Sequence, residues 1–344
     1  MAIGSAFLKA FPIFEYMGKI LLFLILAIFP IKHYAQITLL DFHSGQPIGY
    51  ASILGSDGEL LSTSDANGVF HIRKGSHTIS ISHVAYTNLE VNLDTLRKKT
   101  IYMYAKEQVL TEVPITTERP EFVVFECYFR CPQFYNSKLE YYRDGIALYF
   151  VKLKNGRIDH RVVTSRFLVD EPVYKEEIGK RGMFSYSPSI PVLDFYAIKT
   201  ERDGKEKTCL VDTLPSKVRF DFDNLFPDSV KRISWGKYKQ QLKKVYTSEV
   251  YKLNQDGLSY LDFLSGRWSR QMVINYKDMN KVFDQWEEIY VTKVYFARQE
   301  ELKRLIKDAG DRKENIGLYL ERYEIPPISE YIKERLVNMK VHRP

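Results

Sequence analysis

ITLLDFHSGQPIGYASILGSDGELLSTSDANGVFHIRKGSHTISISHV, residues 37–84, is a series of short alternating runs cut by turn chemistry. ITLLDF is apolar at alternate positions and ends in the His43-Ser44-Gly45 turn. GYASIL follows Pro47 and closes at Ser56-Asp57-Gly58, and ELLSTS then runs into Asp65-Ala66-Asn67-Gly68. Alternation with a period of two puts successive side chains on opposite faces, so each run reads as a half-buried strand. Asn67-Gly68 is a strong hairpin signal, because both residue types accept positive φ. VFHIRK, HTISISHV, NLEVNL and TIYMYA continue the pattern. Strands recurring every roughly 8–12 residues without a helical period predict an antiparallel β-sandwich over residues 36–117. Phe70, Ile79, Ile81 and Val84 are its expected core, and Ala51 is small enough for two sheets to approach closely.

Gly45-x-Pro47-Ile48-x-x-Ala51-x-Ile53, then SDANGVF, ISISHVAY and LTEVPIT, resemble the carboxypeptidase-like regulatory domain. That family is a prealbumin-like seven-stranded sandwich at the front of many Gram-negative outer-membrane and periplasmic proteins, TonB-dependent receptors included. The resemblance covers under a quarter of the chain and departs from the family at Ser62 and at Ala85, where Gly is usual. It implies the sandwich fold and a cell-envelope address. Read instead as a calcium loop, SDANG fails on spacing: Gly and Glu are needed at the sixth and twelfth positions, which hold Phe70 and Ser76. It reads as a turn.

Upstream, KILLFLILAIFPIKHYAQ (residues 19–36) sets a basic residue before an apolar run and a small residue, Ala35, after it. This is the layout of a secretory signal peptide over residues 1–35, with a core of about ten residues where a membrane span needs roughly 20. Export to the periplasm or outer membrane is expected, with a mature N-terminus near Gln36; a retained anchor is the alternative, since His33 is bulky for a cleavage site.

The chain has 344 residues, 45% apolar and 27% charged, a globular composition with room for about two domains. Its net charge of +7 is uneven, because residues 36–117 hold six Lys or Arg against eight Asp or Glu. No run of Lys/Arg exceeds three, so nucleic acid is not an expected partner; an envelope protein, a glycan or a lipid is, and membrane association fits. Three cysteines exclude a disulfide-dense scaffold. On one strand Cys127 and Cys131 would share a face about 13 Å apart, too far to bridge. A bridge from either to Cys209, or three thiols, both stay open.

Residues 116–120 (TTERP) are a polar break that starts a second domain, residues 118–344, of unknown function. Within it, residues 138–169 read as strands turning at Asp144-Gly145 and Asn155-Gly156. Residues 243–265 read as a long hairpin pivoting at Asp256-Gly257, and RQMVINY and WEEIYVTKVYFA as further strands. Residues 171–191 resist assignment. One helix is expected over residues 298–309, with Leu302, Leu305 and Ile306 on one face and Gly310 as its stop. Another follows Ser329 as N-cap, with Ile332, Leu336 and Met339 on its apolar side. The expected fold is mainly β: a prealbumin-like antiparallel β-sandwich, then a β-rich α+β domain with C-terminal helices. From pattern alone, the strands could also form a lipid-carrying half-barrel.

The chemistry is sparse. A zinc carboxypeptidase needs a His and a Glu three residues apart plus a second His. The histidines stand at 33, 43, 71, 77, 83, 160 and 342, and none has Glu three residues later. His71, His77 and His83 read as exposed or half-buried strand residues. Neither a Gly-x-Ser-x-Gly elbow nor a phosphate loop occurs. Glu176-Glu177 and Glu287-Glu288 are poor glycosidase pairs, because neighbours on a strand face opposite ways, and they read as surface charge. Tyr141, Tyr142, Tyr149, Phe150, Trp286, Tyr290, Tyr295 and Phe296 read as core, with an aromatic ligand face as the alternative. No catalytic, cofactor-binding or metal residue and no cofactor is expected. The expected function is an exported, non-catalytic cell-envelope protein; a divergent hydrolase or an accessory subunit of a carboxypeptidase is the alternative.

Overall fold

The computed structural model describes residues 34–73, 75–106, 119–179, 187–198, 209–223, 232–235, 238–255, 257–276 and 279–342. Most of the expected signal segment, Asp256 and residues 116–118 of the polar break lie outside them.

Among the described residues, seven strands build the sandwich: β1 (Tyr34–Asp41), β2 (Ser52–Gly55), β3 (Leu60–Thr63), β4 (Val69–Arg73), β5 (Thr78–Ser82), β6 (Leu89–Asn92) and β7 (Thr100–Met103). One sheet runs β4-β1-β7 and the other β3-β2-β5-β6. Their pairings are antiparallel except β1 with β7, which is parallel. Ile37, Leu39, Phe70 and Ile72 face Ala51, Ile53, Ile79 and Ile81 across a buried core that also takes Val84. β1 already pairs at Tyr34 and Ala35, so cleavage before Gln36 would shorten it by two registers.

Asn67-Gly68 does not close a hairpin. β3 and β4 belong to different sheets, so residues 65–68 form a corner between layers. Asp65 organises it: its Oδ1 accepts from the N–H groups of Asn67 (2.9 Å) and Val69 (2.8 Å). Of the pair only Gly68 takes a positive φ, +72°. A Cβ there would strike the Leu39 carbonyl oxygen and lie 3.1 Å from the Ile48 nitrogen. Gly68→Val is therefore expected to cost about 2 kcal/mol, from left-handed strain and contact together. Urea unfolding of the full chain checks this, and an unshifted midpoint would refute it.

Among the described residues, the second domain is one antiparallel sheet of ten strands. In chain order these are β8 (Phe122–Tyr135), β9 (Lys138–Lys152), β10 (Ile158–Val169), β11 (Cys209–Thr213), β12 (Lys217–Asp223), β13 (Arg232–Trp235), β14 (Tyr238–Lys252), β15 (Phe263–Tyr276), β16 (Met279–Ala297) and β17 (Lys340–Val341). The spatial order is β11-β12-β14-β15-β16-β8-β9-β10-β17, with β13 beside β14. Helices α1 (Glu171–Gly179), α2 (Gln299–Asp311), α3 (Ile316–Arg322) and α4 (Glu330–Asn338) also lie among the described residues, and residues 196–198 are helical as well. β8 is buried along its whole length because both its faces are covered. Val123, Phe125, Cys127, Phe129 and Cys131 meet Leu193, Phe195 and Ala197 on one side. On the other, Phe122 and Val124 meet Leu302 and Ala309 of α2, and Tyr128 joins the core of the sandwich. The two domains thus share one continuous apolar cluster.

Several local expectations need correction. Asp144-Gly145 is no turn but the middle of β9, because Asp144 is buried against charged partners and Gly145 lies under β10. Asn155-Gly156 does turn, with Gly156 at φ +68°. The β8–β9 turn is instead made by Asn136 and Ser137, both at positive φ. β14 and β15 do form the long antiparallel hairpin, joined by residues 253–262, of which Asp256 lies outside the described residues and Tyr260–Asp262 form a 3-10 turn. Residues 171–179, left unassigned, form α1, where the Asp170 side chain accepts from Val173 N–H at 3.2 Å. α2 runs through Gly310, whose φ is not left-handed, so the stop lies beyond it. α3 is not foreshadowed by the sequence pattern; Asn315 caps it, accepting from Leu318 N–H. Ser329 does precede α4, yet its hydroxyl makes no cap bond; Ile332 and Met339 are buried as expected.

Candidate functional site

The sandwich rests on the sheet through buried arginines. KVRFDFD of β12 alternates: Phe220 and Phe222 enter the apolar cluster while Arg219 and Asp221 face the opposite way, toward the sandwich. Arg219, with no exposed surface, ion-pairs with Asp221 at 3.0 Å and Asp212 at 3.5 Å. It also donates to the Tyr86 hydroxyl and to the Pro47 carbonyl (2.8 Å), both in the sandwich. Arg267 of β15 donates to the Ser52 hydroxyl and the Ser82 carbonyl of the sandwich, and stacks 4.5 Å over Trp286. Arg130 of β8 reaches Glu288, the Tyr290 hydroxyl (2.9 Å) and the Pro326 carbonyl (2.7 Å). Glu288 thereby joins Arg130 and Arg267. Burial works to raise its carboxyl, but the two guanidiniums outweigh that and hold it below the usual range. His83 sits nearby with its ring buried; burial, then Arg219 and Arg267, push it well below an ordinary imidazole, so it stays neutral.

Further pairs bind helices and strands to the sheet. Arg312 forks onto Glu126 at 2.8 and 3.0 Å, with the Tyr319 hydroxyl at 2.9 Å. Arg166 forks onto Asp144 at 2.6 and 2.9 Å, and the Tyr128 hydroxyl donates to it at 3.0 Å. Lys281 reaches Glu177 at 2.7 Å. Surface charge describes Glu176, which meets Lys138; Glu287, which meets Arg270, is only 15% exposed and fits it poorly. It does not describe Glu177 and Glu288, which are buried, and Glu176-Glu177 lies on a helix where a strand was assumed. The strand aromatics are mainly core: Tyr141, Tyr142, Tyr149, Trp286 and Tyr290 are buried, and Phe150, Tyr295 and Phe296 partly so.

Residues 187–198 lie as a strap across the apolar face. Leu193, Phe195 and Ala197 pack into it, the Tyr149 hydroxyl donates to the Pro191 carbonyl at 2.9 Å, and Glu249 accepts from the Tyr196 and Ala197 N–H groups. Along this stretch the apolar face of the sheet is covered by the chain's own residues. Cys127 and Cys131 lie beneath it as thiols, pushed up by burial, and no disulfide joins the three cysteines.

Two buried carboxyls titrate late. Burial pushes Glu249 up to about 7, against hydrogen bonds from Tyr251, Ala197 and Tyr196. Burial pushes Glu140 up to about 8, against a hydrogen bond from Gln133. A carboxyl raised in the folded state favours folding fully below its unfolded pKa, and that contribution is lost as pH rises through the folded value. Glu126 and Glu288, held low, work the other way: their contribution is lost as pH falls below about 4.5. Stability should therefore peak in mildly acidic solution and decline between about pH 5 and 8. Glu140→Gln, which can still accept from Gln133, should flatten that decline and stabilise the protein at about pH 8 by a few kcal/mol. Melting temperatures across pH test this; parallel curves for the two proteins would refute it.

A cleft of about 610 Å³ opens on the sandwich between the β2–β3 turn, β4 and residues 75–78, with Ser137 from the second domain at its rim. Asp57, Glu59, His71 and His77 supply its charge and polarity. The three sandwich histidines do not converge: His71 is exposed, His77 meets Asp94 at 2.9 Å, and His83 is buried. Among the described residues no group of three His, Cys, Asp or Glu is placed to hold a metal. No protein-family model matches the chain, and no curated protein matches it.

Proposed function

We propose that this chain is an exported, non-catalytic protein of the cell envelope, in which the sandwich engages an envelope component and the ten-stranded domain is its rigid base. The observation that carries this reading is the seam. Arg219 and Arg267 are satisfied jointly by carboxylates of the sheet domain and by Pro47, Ser52, Ser82 and Tyr86 of the sandwich. Glu288, Asp144 and Glu126 are likewise bound to guanidiniums, so they hold parts of the molecule together where a hydrolase would present an acid and a base to substrate. The regulatory-domain resemblance and the short apolar run before Gln36 support the address.

Fractionation of a Gram-negative host expressing the C-terminally tagged chain tests it. Recovery with the envelope and a mature N-terminus near Gln36 is expected; intact chain confined to the cytosol would overturn the reading. Purified protein should also carry no stoichiometric zinc and cleave no peptide. Chelator-sensitive cleavage would promote the hydrolase.

A further inference from the structure

The outer face of β1 and β7 presents rings to solvent. Ile37, Leu39, Ile101 and Met103 point into the core, so alternation turns Tyr102 outward, with Phe42 and Tyr104 just past the strand ends. Tyr102, Phe42 and Tyr104 are 47%, 50% and 53% exposed, far more than aromatic side chains normally are. They also touch one another: Phe42 and Tyr104 are 4.3 Å apart between ring centres, Phe42 and Tyr102 6.3 Å, and His43 stands 5.4 Å from Phe42. Along the same face, Gln36, Thr38 and Thr100 add amide and hydroxyl groups, with Thr38 directly opposite Thr100. No Asp, Glu, Lys or Arg occupies an outward position of β1 or β7.

We propose that this face is a binding platform for a neutral, extended saccharide, with Phe42 and Tyr104 as its stacking rings. A sugar ring offers an apolar C–H face for an aromatic ring and hydroxyls for tyrosine, imidazole and amide groups, and this surface alternates the same two chemistries. The uncharged outward positions of β1 and β7 match an uncharged ligand, and the basic run Arg97-Lys98-Lys99 lies before Thr100, at the end away from Phe42 and Tyr104. From Gln36 to Phe42 the face runs roughly 20 Å at about 3.3 Å per residue, which suits a chain of sugars better than a single one. The cleft beside His71 lies at the far end of this run, since His71 pairs with Gln36. The inference rests on the reading of the chain as a binding protein and names what it binds.

The full-length protein is titrated with cellohexaose and chitohexaose and sedimented with purified peptidoglycan sacculi, which separates plain glucan from cell-wall amino sugar. Saturable binding to at least one probe is expected, equal at low and high salt. It should weaken roughly tenfold in the double variant Phe42→Ala with Tyr104→Ala, and survive Tyr104→Phe. Should the double variant unfold, Tyr102→Ala reads the same surface. No binding to any probe, binding that salt abolishes, or binding indifferent to these rings would overturn the proposal. Failure here with correct envelope fractionation sinks the platform alone; sugar binding by a cytosolic protein keeps the platform and removes the envelope reading.

Discussion

Arg219→Met is expected to lower the unfolding free energy by roughly 3–5 kcal/mol near neutral pH. Methionine keeps an unbranched, apolar stem, so most of the loss is electrostatic. Asp212 and Asp221 are both buried, and without the guanidinium neither keeps its ion pair. Asp212 Oδ1 makes no hydrogen bond among the described residues and Oδ2 accepts a long one, 3.4 Å, from the Tyr86 hydroxyl, so the carboxylate leans on the field of Arg219. The Pro47 carbonyl and Tyr86 hydroxyl lose a donor at the same time, which weakens the seam. Burial already pushes Asp221 up even with Arg219 opposing it, and removing Arg219 raises it further. The variant's deficit should therefore shrink on acidification, as the bare Asp221 carboxylate takes up a proton. Urea unfolding at about pH 8 and about pH 5 measures both effects. A deficit equal at the two pH values, or none at either, would show that Arg219 is not what neutralises these groups.

Gly145→Val should cost more than about 3 kcal/mol and leave most of the protein insoluble. The glycine has ordinary backbone angles, so the requirement is for space alone. A Cβ at this position would strike the Thr164 carbonyl oxygen and come within 2.8 Å of both Cα and Cβ of Ser165. Those atoms are mainly backbone of the neighbouring strand and cannot rotate aside. They crowd Gly145 where the β9–β10 register slips between Val162 and Thr164. Even alanine should destabilise clearly, because the first carbon already collides. An alanine variant that melts with the wild type would show that β10 does not press on β9 there.

What was legible in the chain was local. The seven short strands follow from alternation cut by Gly, Asp and Asn, and the structure has all seven. Illegible were features decided by what lies on the far side of a strand. Arg219 and Asp221 alternate with Phe220 and Phe222, a pattern that reads as one wet and one dry face; the sandwich covers the wet face and makes it an ion-pair seam. Asp144-Gly145 carries turn chemistry, yet Asp144 is spent on Arg166 and Tyr128, and Gly145 on a close approach. Glu288 looks like one of two surface carboxylates until Arg130 and Arg267 arrive from other strands. The one available signal was an isolated charge inside an aromatic strand, as with Arg130 between Phe129 and Cys131. The exposed rings of the proposed platform were equally hidden, since alternation shows which residues share a face but not whether anything packs on it.

The irregularity in β10 has a second consequence, for how copies of the protein behave toward one another. β17 covers only Leu168 and Val169, so residues 158–166 form an outer margin of the great sheet among the described residues. A long, straight margin of this kind invites main-chain pairing with another molecule and growth into aggregates. The slip between Val162 and Thr164 breaks the line of donors and acceptors, and exposed Asp159, Arg161 and Arg166 place charge along it. The distortion that forbids a side chain at Gly145 thus also protects the protein from self-association at high concentration.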